Sequence, residues 1–220
     1  MKIEIESNII RHLLKDVYFI NGTAYAGKST MVKILAQKHD GICCGENYHD
    51  VLMGIVDPAV QPNLAYFDTM SGWQEFIGRS PEVYEDWIEG VSREAAEMEI
   101  ALLLGLASQG KKIFVDTNIP LDILKEISDE SHIALMLSPQ SMSVDMFFDR
   151  EDPEKRFLLE KIQEADDPDA AMENFRGCIA RINSAQHYEA FAQSGLFTYI
   201  RREDSTIEEA VALIEKHFDL

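Results

Sequence analysis

The 220-residue sequence predicts an α/β fold, a doubly wound parallel sheet covered by helices on both faces. Short apolar runs alternate with longer segments of helical periodicity, and a glycine-rich turn joins the first strong run to the helix behind it. No linker rich in Pro, Gly or Ser and no internal repeat marks a second domain, so one domain spanning residues 1–220 is expected.

Residues 1–15 read as a strand plus a short helix packed on the sheet edge. The first clear strand is Val17-Tyr-Phe-Ile20, ending in Asn21-Gly22, and residues 29–37 follow as a helix. Residues 41–44, 112–115, 133–137 and 197–200 are the other strand candidates. Helical patterns cover residues 82–107, 121–128, 143–165, 169–194 and 206–218. The last opens on a capping-box pattern, Ser205 with Glu208. Two stretches fit a sheet poorly and read as functional insertions. Residues 46–80 are broken by Gly54, Pro58 and Pro62 and carry Tyr66, Phe67, Trp73 and Phe76, while residues 147–167 are dense in charge.

Composition narrows the function. Apolar residues make up 46% and charged residues 27%, ordinary for a globular chain, and no apolar run nears the roughly 20 residues of a membrane helix. The start MKIEIES lacks a secretion-signal pattern, so a cytoplasmic location is expected. Cys43, Cys44 and Cys178 suit neither a disulfide framework nor a zinc site and read as buried small hydrophobes. A net charge of −19 disfavours nucleic-acid and membrane-surface partners. The acidic stretches at residues 82–99 and 160–173 read as solvated helix faces.

Gly22-Thr23-Ala24-Tyr25-Ala26-Gly27-Lys28-Ser29, followed by Thr30, matches G-x-x-x-x-G-K-[ST] in full, between a strand and a helix. Glycines let successive N–H groups face one phosphate, and the helix adds its positive N-terminal end. The pattern places Lys28 on the β- and γ-phosphates of ATP and the Ser29 hydroxyl on Mg²⁺. The dinucleotide pattern G-x-G-x-x-G is missing, which removes most of the case for a nicotinamide enzyme. Asp116, closing the run Ile113-Phe-Val, is the candidate second metal carboxylate. In Glu46-Asn-Tyr-His49-Asp50, Glu46 or Asp50 is the candidate base for an acceptor hydroxyl, and His49 reads better as a loop histidine.

With these elements the chain resembles the nucleoside/nucleotide kinase group of P-loop kinases, which includes adenylate, cytidylate and shikimate kinases. The likeness spans residues 17–218, although only residues 22–30 form a specific motif. It implies a five-stranded parallel sheet of order 2-3-1-4-5, an acceptor-binding insertion at residues 46–99 and an arginine-bearing lid at residues 147–167. On this chain the lid arginines would be Arg150 and Arg156, suited to bridging phosphate oxygens. The loop after the fifth strand would pack Arg201 or Arg202 against adenine.

The chain departs from each named subfamily. Residues 46–99 hold only Arg79 and Arg93 where monophosphate kinases present several arginines, and Asp116-Thr-Asn118 replaces both the Gly-Gly pair of shikimate kinases and the Glu-Arg-Ser type element of deoxynucleoside kinases. An aromatic-rich, cation-poor insertion suits a neutral or cationic alcohol or a nucleoside. The leading expectation is a kinase moving the γ-phosphate of Mg-ATP to a small-molecule acceptor, with no nucleic-acid or membrane partner; a homodimer is compatible with it. A nucleotide-dependent switch with little catalysis is the alternative. A phosphotransferase acting on a larger acceptor, such as a nucleic-acid end, is a third reading.

Overall fold

The computed structural model describes residues 5–139, 147, 153–202 and 204–220. Five strands form one all-parallel sheet: β1 (Val17–Gly22), β2 (Ile42–Cys44), β3 (Ile113–Asp116), β4 (Ile133–Leu137) and β5 (Phe197–Ile200), in the order β2-β3-β1-β4-β5. The central strands β1, β3 and β4 are buried on both faces, which explains why they read as continuous apolar runs.

The period-2 alternation of each strand separates two cores. Val17, Phe19, Ile113, Val115, Ile133 and Leu135 face one, while Tyr18, Ile20, Phe114, Ala134 and Met136 face the other. Helix α2 (Lys28–Lys38) covers the second core through Met31, Val32, Leu35 and Ala36. The C-terminal helix, Ile207–Phe218, joins it there through Val211, Ile214 and Phe218.

The first core lies beneath α1 (Ser7–Leu13), the 27-residue α5 (Pro81–Ala107) and α6 (Leu121–Ile127). Helix α1 packs on α6 and α5 rather than along the sheet edge. Arg11 Nη2 donates to the carbonyls of Lys125 (2.8 Å) and Glu126 (3.1 Å), capping α6. The expected leading strand falls partly on residues 1–4, outside the described residues.

The segment between β2 and α5 is a 3-10 stretch, Tyr48–Ile55, followed by the short helices α3 (Tyr66–Thr69) and α4 (Trp73–Ile77). After β4, α7 (Pro153–Gln163) occupies part of the expected helix 143–165; residues 143–146 and 148–152 lie outside the described residues. The expected single helix 169–194 is two helices, α8 (Pro168–Ile182) and α9 (Ala185–Ala192). The break falls where Ser184 accepts a hydrogen bond from His187 N (3.4 Å) and restarts the helix as an N-cap. A third core, built from Phe76, Ile77, Tyr84, Ile162, Phe175, Cys178 and Ile179, unites α4, α5, α7 and α8.

Two local expectations shift. Cys43 is exposed, because edge strand β2 turns it away from the core that holds Cys44; Cys44 and Cys178 are buried as expected. The capping box of the last helix, α10 (Ile207–Phe218), is Thr206 with Glu209, one residue beyond the Ser205/Glu208 pattern. Ser205 Oγ instead accepts from Arg202 N at 2.8 Å. Thr206→Ala is expected to cost about 1 kcal/mol and to lower Tm by about 2–4 °C. Ser205→Ala should cost less, and thermal denaturation of both variants checks the assignment.

Candidate functional site

Every strand of a parallel sheet ends on the same edge, so the polar residues that follow β1 to β4 meet there. Gly22 ends β1 with φ 130°, and a Cβ on it would lie 1.9 Å from the Met136 carbonyl oxygen, so the position requires glycine. Thr23 N donates to that same carbonyl at 3.0 Å. Ser138, just after β4, fastens the loop: its N–H donates to Thr23 Oγ1 (2.8 Å) and its hydroxyl to Ala24 O (2.6 Å).

Tyr25 is buried at φ 64°, and its carbonyl accepts from Arg201 Nη1 at 2.7 Å. Gly27, left-handed at φ 95°, caps α2 without a side chain. The N-terminal N–H groups of α2 therefore open toward the loop as a positive helix end.

Lys28 and Ser29, the first residues of α2, meet Asp116 at the tip of β3. Ser29 Oγ donates to Asp116 Oδ2 at 2.6 Å; Lys28 Nζ lies 4.0 Å from Asp116 Oδ1 and donates to Thr23 O at 3.4 Å. Asp116 has 0% exposure, and its Oδ1 is buried with no hydrogen-bond partner among the described residues. Burial pushes its pKa above the usual carboxylate range against the opposing pull of Lys28 and the Ser29 hydrogen bond, and Glu46 and Glu99 push it further up.

Of the two base candidates, Glu46 reaches this edge. Its Oε1 accepts from Asn118 Nδ2 at 3.0 Å, which joins the residues beyond β2 and β3. Asp50 is exposed and turns toward His49, with Oδ1 3.9 Å from Nε2.

His49 is buried with Nδ1 3.0 Å from Glu99 Oε1, and Thr117 Oγ1 donates to Glu99 Oε2 at 2.8 Å. The Glu99 bond raises the His49 pKa despite its burial. Glu99 is thus not on a solvated face; it holds the residue after Asp116. It lies three residues after Ala96 and four before Leu103 on the buried stripe of α5, and an acid on such a stripe is the sequence signal that could have found it.

A cavity of about 160 Å³ opens beside the loop between the starts of α2 and α10. Ala26, Gly27, Thr30, Met136, Tyr199 and Arg201 contribute to its walls. Arg202 does not line it; its side chain is 78% exposed, 3.6 Å from Asp204. Of the pair, Arg201 lines this cavity.

Arg150 lies outside the described residues, and Arg156 is exposed on α7. Lys155, which the sequence reading passed over, approaches the loop instead, with Nζ 5.3 Å from the Tyr25 ring centroid and 4.5 Å from that of Phe147.

The aromatic residues of the insertion pack on one another. Tyr66, Phe67, Trp73, Phe76 and Trp87 form a continuous set of ring contacts, and Trp73 meets Phe157 of α7 at 4.8 Å. Arg79 lies 3.5 Å above the Tyr66 ring within this set.

The residues fit a Mg²⁺ bound together with phosphate groups: a buried carboxylate oxygen without a hydrogen bond among the described residues stands beside the Ser29 hydroxyl at the mouth of a glycine cradle. Among the described residues no group of three or more His, Cys, Asp or Glu side chains could hold a metal by itself, so phosphate oxygens and water would complete the shell. Among the same residues no helix is long and apolar enough to cross a membrane. No protein-family model matches the chain, and no curated protein matches its sequence.

Asp116 yields a pH-dependent prediction. A carboxyl whose folded pKa is raised binds protons more tightly in the folded state, so its ionisation costs stability as pH rises through the unfolded value of about 4 and then the folded one. Ligand-free Asp116→Asn should therefore melt above the wild type at pH 7.5, and the gap should close as pH falls to about 4. Thermal denaturation across that range checks it, and a gap independent of pH would contradict it.

Proposed function

We propose that the protein is a P-loop phosphotransferase that moves the γ-phosphoryl group of Mg-ATP to a hydroxyl of a small-molecule acceptor. The observation carrying this reading is the meeting of Lys28, Ser29 and the buried, partner-poor Asp116 at the N-terminus of α2, behind a loop whose path depends on Gly22 and Gly27.

In this reading the loop N–H groups and the α2 N-terminus hold the β-phosphate, and Lys28 leaves Thr23 O to reach the β- and γ-oxygens. The cavity between α2 and α10 takes the adenine, with Arg201 fixing both its wall and the Tyr25 carbonyl. Ser29 and Asp116 would hold Mg²⁺, which when bound neutralises charge developing on the phosphates. Glu46, oriented by Asn118, accepts the acceptor's hydroxyl proton as that oxygen bonds to the γ-phosphorus. The bond from the γ-phosphorus to the bridging oxygen breaks, and ADP leaves with the electron pair. Lys155, near the Tyr25 ring, would add positive charge beside the loop.

Lys28→Met keeps the buried stem and removes the charge. Acceptor-dependent ADP release should fall about a hundred- to a thousandfold, with Tm within a few degrees of the wild type. ADP release from Mg-ATP over a panel of alcohols, nucleosides and nucleoside monophosphates is the measurement. Tight ATP binding with no acceptor-dependent release would turn the reading to a nucleotide-dependent switch.

A further inference from the structure

The acceptor side of this edge differs in charge from the nucleotide side. Residues 46–99 carry twelve acidic side chains, two arginines and no lysine. Each basic group among them is engaged elsewhere. Arg93 Nη2 pairs with Asp122 Oδ2 at 3.1 Å, and His49 is held on Glu99. Arg79 keeps a buried Nη1 without a hydrogen bond, yet its guanidinium lies over Tyr66 just before α5 begins. Glu99, which bonds the tip of β3, is on α5 about 30 Å further along the helix at 1.5 Å per residue. Arg79 is thus beyond reach of a small acceptor whose hydroxyl lies near Asp116.

At the edge itself Glu46 Oε1 holds Asn118 Nδ2, while Glu46 Oε2 and Asn118 Oδ1 accept no hydrogen bond among the described residues. Both residues are exposed, at the ends of neighbouring strands. The two joined side chains thus each keep an acceptor oxygen for a ligand, which suits donors such as the hydroxyls of a vicinal diol or the groups of an amino alcohol, and the Glu46 charge repels a phosphate. Asp116 Oδ1, fully buried, 4.0 Å from Lys28 Nζ and without a hydrogen bond among the described residues, lies two residues before Asn118 and marks the same edge as a ligand site.

Resting on the phosphotransferase reading, we infer that the acceptor is an uncharged or cationic polyol or amino alcohol, read by the Glu46–Asn118 pair, and not a phosphorylated compound. The class excludes nucleoside monophosphates, whose phosphate would need cations that this side does not offer among the described residues.

The test is isothermal titration of the full chain, loaded with Mg-ADP, against matched pairs: adenosine with AMP, glucose with glucose 6-phosphate, and glucosamine with glucosamine 6-phosphate. The unphosphorylated member of at least one pair should bind at least tenfold tighter than its partner. Glu46→Gln should weaken that binding tenfold or more, and most for the amine, because it removes charge while keeping shape. Tighter binding of a phosphorylated member, or binding of no unphosphorylated one, overturns the inference. Glucosamine or another unphosphorylated member that binds, weakened by Glu46→Gln, without acceptor-dependent ADP release supports the ligand class read by Glu46 and Asn118 and overturns phosphoryl transfer, and with it the ligand's role as acceptor.

Discussion

A carboxylate with 0% exposure, set between an ammonium group at 4.0 Å and a hydroxyl at 2.6 Å, is the contact on which the edge of this sheet is organised. Asp116 is the last residue of β3, and it reaches Lys28 and Ser29 only because β3 pairs in parallel with β1 and α2 starts directly above that pair. A buried charge costs free energy unless it is well paired and hydrogen-bonded. Here one oxygen is satisfied by Ser29 while the other is not, and the neighbouring Glu46 and Glu99 make ionisation harder still. A fold optimised for stability alone would replace such a residue; keeping it makes sense where a cation completes it.

The surroundings hold that residue in place. Thr117, next in sequence, donates to Glu99 and accepts from Ile119 N at 3.0 Å, so the chain leaving β3 cannot relax away from α2. Asn21 does the same for β1, donating to Ile119 O at 2.7 Å and accepting from Gly22 N at 2.6 Å. The tips of β1 and β3 are therefore cross-linked through the turn 117–119. Glu99 also reaches His49, which ties the start of the insertion to the same point. Groups in contact of this kind couple, so a change at any one of them is felt at Asp116.

The positions of the five strands and the whole glycine-rich loop were readable in the sequence, because each depends on local pattern: continuous apolar runs for β1, β3 and β4, and fixed glycine spacing for the turn. The strand order came only with the family likeness, since register between distant strands leaves no mark in a single sequence. Choices between neighbours were the least readable. Ser205 and Thr206 both offer a hydroxyl three residues before a glutamate, and Arg201 and Arg202 are alike in composition; tertiary contacts decide each case. Glu99 was hidden for another reason: charge on a helix usually faces water, and only the pairing with Thr117 and His49 makes its burial affordable.

Under the phosphotransferase reading, the same uneven placement of charge would reconcile a chain of net charge −19 with a polyanionic ligand. Screening confines exposed charges to about 8 Å at physiological salt, so what a phosphate meets is the local set, not the total. Around the loop that set is Lys28, Arg201, Lys155 and the start of α2. Across the edge, beyond Asp116, it is the exposed carboxylate of Glu46. A triphosphate would be drawn to the first set and turned away from the second, which fixes the direction in which its terminal phosphate points before any acceptor arrives. In the phosphotransferase reading the acidic side would keep a nucleotide from the acceptor position, and that exclusion would follow from the same residues that leave this position poor in cations among the described residues.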